Sequence, residues 1–173
     1  RPPVREGLPV PTLEELLPSI HVVALPLNVP FRGVTVREAM LFRGPRGWTE
    51  FSPFLEYGIP EAATWLAGAI EGGWARPAKA VRETVPVNAT VPAVPARRVP
   101  GVLEAYGPVQ TVKVKVGGLH GDLEADEARV HAVRRTAGDT VRIRVDANGT
   151  WSLAEAREAI RRLSQYGLEY VER

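Results

Sequence analysis

Thr111-Val112-Lys113-Val114-Lys115-Val116, then Val141-Arg142-Ile143-Arg144-Val145-Asp146-Ala147-Asn148-Gly149, then Leu168-Glu169-Tyr170-Val171-Glu172: the reading of these three phrases decides the fold. In the first two, β-branched residues alternate with cations at period two, the signature of a strand with one apolar and one charged face. The third is strand-like and ends on a carboxylate. Between the first and second, residues 123–137 carry Val130, Val133 and Ala137 on one helical side, with Gly138 as a stop. Between the second and third, Ser152 and Glu155 form an S-x-x-E capping box. Leu153, Ala156, Ile160 and Leu163 then recur at helical spacing until Gly167. Upstream, residues 87–91 read as another strand, followed by a short helix from Pro100 to Gly107. The order is β-α-β-α-β-α-β, which argues a parallel sheet with helices over its apolar face.

An open doubly wound sheet is covered on both faces, so its strands are apolar throughout. Here the second face carries Lys113, Lys115, Arg142, Arg144 and Asp146. That pattern suits the wet mouth of a barrel. Residues 85–173 are therefore read as the first half, about four βα units, of a (β/α)₈ barrel, whose full ring takes roughly 250 residues.

Working outward, residues 13–84 follow a different grammar. An apolar run from His21 to Leu27 reaches a loop signal at Asn28-Val29-Pro30. A hairpin follows, with strands at 34–42 and 48–51 around Gly44-Pro45-Arg46-Gly47. Pro60 opens a helix that Gly72-Gly73 is expected to close. This is a small α+β unit. Residues 1–12, with Pro2, Pro3, Pro9 and Pro11, read as a poorly ordered lead.

The chain has 173 residues, 45% hydrophobic and 24% charged, with a net charge of +2. Lysines and arginines are not clustered with aromatics between them, which argues against nucleic acid. There is no cysteine, so disulfides and thiolate metal sites are excluded. No apolar run approaches the roughly 20 residues of a membrane span. The start, Arg1-Pro2-Pro3-Val4-Arg5, lacks a signal peptide's apolar core. The expectation is a cytoplasmic protein that engages neither membrane nor nucleic acid.

Lys113 and Lys115 share a strand face about 6 to 7 Å apart. Crowded ammonium groups favour losing a proton, which turns a lysine into a general base near neutral pH. Alternating lysine also guards solvated edge strands. Asp146 and Glu172 close successive strands at the C-terminal end, where (β/α)₈ enzymes keep their chemistry. Two converging carboxylates call for a cation, and all-oxygen ligation suits Mg²⁺. The alternative is a plain turn at Asp146-Ala147-Asn148-Gly149 and a surface charge at Glu172.

Lys-x-Lys, Asp-x-Asn and Glu on three successive strands resemble the enolase superfamily, in its muconate-lactonizing branch. The phrases Val87-Asn88-Ala89-Thr90-Val91, Phe31-Arg32-Gly33 and Glu50-Phe51-Ser52-Pro53-Phe54-Leu55-Glu56-Tyr57 are similar to the o-succinylbenzoate synthase family of the actinobacterial menaquinone pathway. The resemblance implies a lyase acting on a small-molecule carboxylate. By the same resemblance Lys115 would take the proton α to the carboxylate, Lys113 would lower its pKa, and Asp146 and Glu172 would hold Mg²⁺. It implies that residues 13–84 form a capping domain whose loops at Arg32, Phe51 and Ser52 close over the substrate, with Asn148 lining the pocket. An N-succinylamino acid racemase would use the same residues. A non-catalytic α/β module is the reading outside that class. The family's third metal carboxylate and opposite-face lysine come from later strands with no counterpart here. These 173 residues alone are therefore expected to have little or no dehydratase activity, and to associate through strand edges at 87–91 and 168–172.

Overall fold

The computed structural model describes residues 7, 10–31, 33–118 and 122–172. The chain divides into two compact units, Arg1–Val81 and Arg82–Arg173. The lead read over residues 1–12 lies largely outside the described residues.

The first unit starts with α1 (Leu13–Leu16), closed at its N-terminus by a capping box between Thr12 and Glu15. Three antiparallel strands follow, β1 (His21–Phe31), β2 (Val34–Gly44) and β3 (Gly47–Phe51), in the order β1-β2-β3. β1 continues through the segment read as a loop at Asn28-Val29-Pro30. As an edge strand it tolerates prolines that donate nothing to a ladder, and its register shifts between Pro26 and Phe31.

α2 (Ile59–Trp74) packs against β3 and β2. Phe42, Ala69, Ile70 and Leu16 form the buried cluster, flanked by Met40, Phe51, Leu66 and Trp74. Phe42 is fully buried, which stabilises by about 1.5–3 kcal/mol.

Gly72 and Gly73 lie in the last turn of this helix, which ends one residue later at Trp74, close to where the sequence placed its stop. Their missing side chains let the helix lie directly on the hairpin. The Gly73 carbonyl accepts from the Arg46 amide at 3.0 Å, and a Cβ on Gly73 would sit 3.3 Å from Thr49 Cγ2. Close approach to the hairpin is a second use of these glycines, beside their place at the helix end.

The second unit holds four parallel strands in the order β4-β5-β6-β7: β4 (Ala89–Val91), β5 (Thr111–Lys115), β6 (Arg142–Asp146) and β7 (Leu168–Glu172). α3 (Val99–Glu104), α4 (Leu123–Ala137) and α5 (Leu153–Leu163) connect them. Val112, Val114, Ile143 and Val145 are completely buried, as are Val130, Val133 and Leu163 of the helices. The other strand face keeps its charged residues. Sequential order without reversal, and an apolar side matched by the helices, is the arc of a (β/α)₈ barrel rather than a doubly wound sheet. The helix signals behave as read: Ser152 and Glu155 cap α5 reciprocally, and Gly138 and Gly167 take positive φ of 85° and 65°.

β7 departs from strict alternation. Ile143 pairs with Leu168, but Arg144 pairs with Tyr170, so Glu169 is a surplus residue in a bulge. Both Glu169 and Tyr170 meet Arg144: Glu169 Oε2 accepts from Arg144 Nε at 2.5 Å, and the guanidinium carbon lies 5.0 Å from the Tyr170 ring centroid. After the bulge, Val171 pairs with Val145 and Glu172 with Asp146.

A Cβ added at buried Gly44 would overlap the Gly73 carbonyl oxygen. Gly44→Ala is expected to destabilise the first unit by about 1–3 kcal/mol, the usual cost of overpacking. Urea denaturation followed by tryptophan fluorescence checks this.

Candidate active site

Lys115, Asp146 and Glu172 are the last residues of β5, β6 and β7 and lie side by side in the sheet register. One layer down, Lys113 pairs with Arg144 and Arg144 with Tyr170. The C-terminal rim therefore carries a row of lysine, aspartate and glutamate, with a second lysine beneath.

Asp146 is the centre of this arrangement, at 1% exposure. Its Oδ2 accepts from Lys115 Nζ at 2.5 Å and lies 3.2 Å from Lys113 Nζ. Its Oδ1 accepts from the Asn148 amide at 2.9 Å. Lys115 also donates to Asn148 Oδ1 at 3.0 Å. Lys113 reaches Glu172 Oε2 at 3.3 Å, so one ammonium bridges both carboxylates.

Asn148 and Gly149 have positive φ of 51° and 73°, and the Thr150 amide donates to the Ala147 carbonyl at 3.1 Å. This is the type I′ turn that Asn-Gly favours. The turn and the site are thus one structure: the geometry that explains Asn148's backbone also aims its side chain at Lys115.

Burial is the strongest single influence on Asp146 and pushes its pKa up. Hydrogen bonds from Lys115, the Asn148 amide and Lys113, with the Lys115 charge, outweigh it, so the carboxyl lies below its ordinary value. For Lys113, burial pulls downward, but hydrogen bonds and charge from Asp146 and Glu172 prevail, so its pKa is raised. This corrects the crowding expectation for Lys113. The two ammonium groups do not face each other alone; they share carboxylates that hold Lys113 charged.

The sequence-predicted residues Lys113, Lys115, Asp146, Asn148 and Glu172 come together here. Phe51 and Ser52 belong to the first unit. Phe51 packs against the cluster around Phe42, and the buried Ser52 hydroxyl donates to the Glu38 carbonyl at 2.6 Å. Arg37 holds the segment that follows, donating to the carbonyls of Ser52 and Pro53, with its guanidinium carbon 4.4 Å from the Phe54 ring centroid. Arg32 lies outside the described residues.

Two residues next to the site were not singled out from sequence. Asp126 and Arg129 of α4 are 4% and 6% exposed and form an ion pair at 2.6 Å. With Val130 and Val133 they occupy positions i, i+3, i+4 and i+7, the core-facing stripe of the helix. A charged pair in an apolar stripe was the available signal.

Asp146 and Glu172 supply the oxygen donors that Mg²⁺ prefers, and they already share one cation, the Lys113 ammonium. Among the described residues no group of three or more histidines and carboxylates stands ready for a metal. Nor is any helix of these residues long and apolar enough to cross a membrane.

The family models agree with this architecture. Residues 22–73 match the enolase N-terminal domain-like family and residues 96–173 the enolase C-terminal domain-like family, so the chain belongs to the enolase superfamily. Among curated relatives, it is 51% identical over 164 residues to the o-succinylbenzoate synthase of Mycolicibacterium smegmatis, covering 94% of this chain and 50% of that protein. It is 50% identical to the o-succinylbenzoate synthase of Mycobacterium leprae, covering 94% of this chain and 48% of that one. The chain thus spans about half the length of the curated relatives it matches.

Solved structures share the fold. The L-Ala-D/L-Glu epimerase from Bacillus subtilis aligns with a TM-score of 0.63 at 22% identity, over 88% of this chain and 59% of that one. The o-succinylbenzoate synthase from Thermosynechococcus elongatus, crystallised with Mg in its active site, aligns with a TM-score of 0.57 at 20% identity, again over 88% and 59%.

Because Asp146 titrates below its ordinary value of 3.8, its contribution to stability is complete at neutral pH and is lost as pH falls through that lower value. Asp146→Ala leaves two lysines facing an empty position and is expected to cost about 3 kcal/mol at neutral pH. It should also flatten the acid limb of the stability curve below about pH 4. Urea melts from neutral to acid pH measure both effects.

Proposed function

We propose that this chain supplies the proton-abstracting side of an o-succinylbenzoate synthase. The reaction is dehydration of 2-succinyl-6-hydroxy-2,4-cyclohexadiene-1-carboxylate to o-succinylbenzoate. The observation that carries this reading is the shared Asp146 carboxylate, held by both lysines of β5 and flanked by Glu172 on the same rim. The relatives named for this activity, about half identical over nearly the whole chain, support it.

In this reading Lys115 Nζ removes the proton on the ring carbon that bears the carboxylate. The electron pair of that C–H bond becomes a ring double bond as the neighbouring C–O bond breaks. The hydroxyl departs as water with the proton Lys115 returns, and the ring becomes aromatic. Lys115 can accept a proton only after giving up the ammonium form in which it donates to Asp146. Asn148, at 3.0 Å from Lys115 Nζ, keeps the amine aimed into the mouth through that change. Lys113 supplies positive charge beside the substrate carboxylate.

Asp146 and Glu172 are the residues that would hold Mg²⁺. The bound cation supplies the charge these carboxylates otherwise draw from the lysines, and it favours negative charge on the substrate carboxylate. The reading carries with it a small-molecule carboxylate substrate and a cytoplasmic setting.

With the complete polypeptide, dehydration is followed by the rise of aromatic absorbance. Lys115→Ala should lower kcat by about 10²- to 10⁴-fold, the usual worth of a positioned base. A variant that retains full turnover overturns the role of Lys115. A wild-type protein that leaves the hydroxy acid intact but racemises N-succinylamino acids moves the chain to that sibling activity.

A further inference from the structure

We propose that the buried Asp126–Arg129 pair of α4 positions Lys115 for proton transfer by fixing the backbone where β5 ends. The proposal rests on the reading of Lys115 as the base.

Each polar arm of the pair is spent on something specific. Arg129 Nη1 donates to the Lys115 carbonyl at 3.0 Å and to Asp126 Oδ1 at 2.6 Å. Arg129 Nε donates to the Val94 carbonyl, just after β4, at 2.6 Å. Asp126 Oδ2 accepts from the Gly117 amide at 2.7 Å. Two side chains one helical turn apart thus hold the exits of two adjacent strands, including the carbonyl of Lys115 itself.

Stability alone is a poor reason for such a pair. Ion pairs are expensive to bury, and apolar replacements of similar volume are often neutral or stabilising. Val130 and Val133 show that this face of α4 accepts apolar residues. What apolar residues cannot supply is a set of hydrogen bonds to the backbone of a strand end.

That end needs them. β5 stops at Lys115 and its last bond to β6 runs from the Val116 amide to the Asp146 carbonyl at 3.0 Å, so past Val116 the ladder no longer fixes the chain. Gly117 and Gly118 follow at positive φ of 71° and 118°. On the other flank, the Gly118 amide donates to Thr150 Oγ1 at 3.2 Å, and a Cβ at Gly117 would overlap that same hydroxyl oxygen. The exit is clamped between α4 and the turn after β6. A lysine amine is separated from its backbone by four rotatable methylenes, so Asp146 and Asn148 can aim it only if its Cα stays in place. Misplacement of a reacting group by about 1 Å can cost on the order of 10²-fold in rate.

The test uses Asp126→Asn, Arg129→Met and Arg129→Lys in the complete polypeptide, with Lys115→Ala as reference and circular dichroism to confirm folding. The expected result for Asp126→Asn and Arg129→Met is a kcat lower by about 10- to 100-fold, with KM changed by less than about threefold. Arg129→Lys, which keeps the charge, should recover part of the loss. Amide exchange at Gly117 should quicken by about tenfold or more in Asp126→Asn and Arg129→Met, while α5 keeps its protection. Lower thermal stability with unchanged kcat, or unchanged exchange at Gly117, overturns the positioning role. If Lys115→Ala retains turnover, it is the reading of Lys115 as base that fails. An inactive Lys115→Ala beside fully active Arg129 variants leaves that reading standing and removes only the positioning role.

Discussion

A carboxylate at 1% exposure is tolerated only because cations meet it, and the second unit is arranged to bring them there. Burial on its own would drive Asp146 towards the neutral acid. Two lysines from the neighbouring strand and one backbone amide from the following turn reverse that tendency. Everything else at the rim follows from this balance. Lys113 remains charged because it also serves Glu172, and Asn148 must enter a left-handed turn to bring its own amide to Asp146 Oδ1 and its side chain to Lys115. A divalent cation entering this arrangement would change partners already in place; it would not introduce charge into an apolar cavity.

Much of this was legible from the sequence, and the reasons are local. The period-two alternation of valine with lysine, and of valine and isoleucine with arginine, is enough to put Lys115 and Asp146 on the charged faces of their strands. The Ser152–Glu155 box and the glycines at 138 and 167 marked helix ends because capping depends on a few adjacent residues. What the sequence does not carry is what tertiary contact decides. Gly72 and Gly73 have the chemistry of a helix stop, and α2 ends one residue later, but only the hairpin beneath them reveals their second use in close packing. Asn28-Val29-Pro30 reads as a loop, but it lies on an edge strand where a missing N–H is harmless.

The site shows the same division. Strand parity gave the identity of the groups but not their charge balance, since the crowding of two amines was weighed without the carboxylates that separate them. Asp126 and Arg129 escaped notice because charged residues on a helix are ordinarily taken for its wet face. Their position in the Val130–Val133 stripe shows otherwise. Phe51 and Ser52, which the resemblance places near the substrate, are held within the first unit by the Phe42 cluster and by the Glu38 carbonyl.

The surplus residue in β7 has a consequence for how the rim is encoded. Counted strictly in twos from Leu168, which lies beside Ile143 on the helix-covered face, Glu172 would fall under the helices and Val171 would open into the mouth. Glu169 resets the count, so the acid reaches the polar side and the valine the apolar one. Strand length here is therefore not a neutral spacer. Losing or gaining a single position between Leu168 and Glu172 exchanges what the helices receive for what the mouth receives, with every rim residue otherwise unchanged.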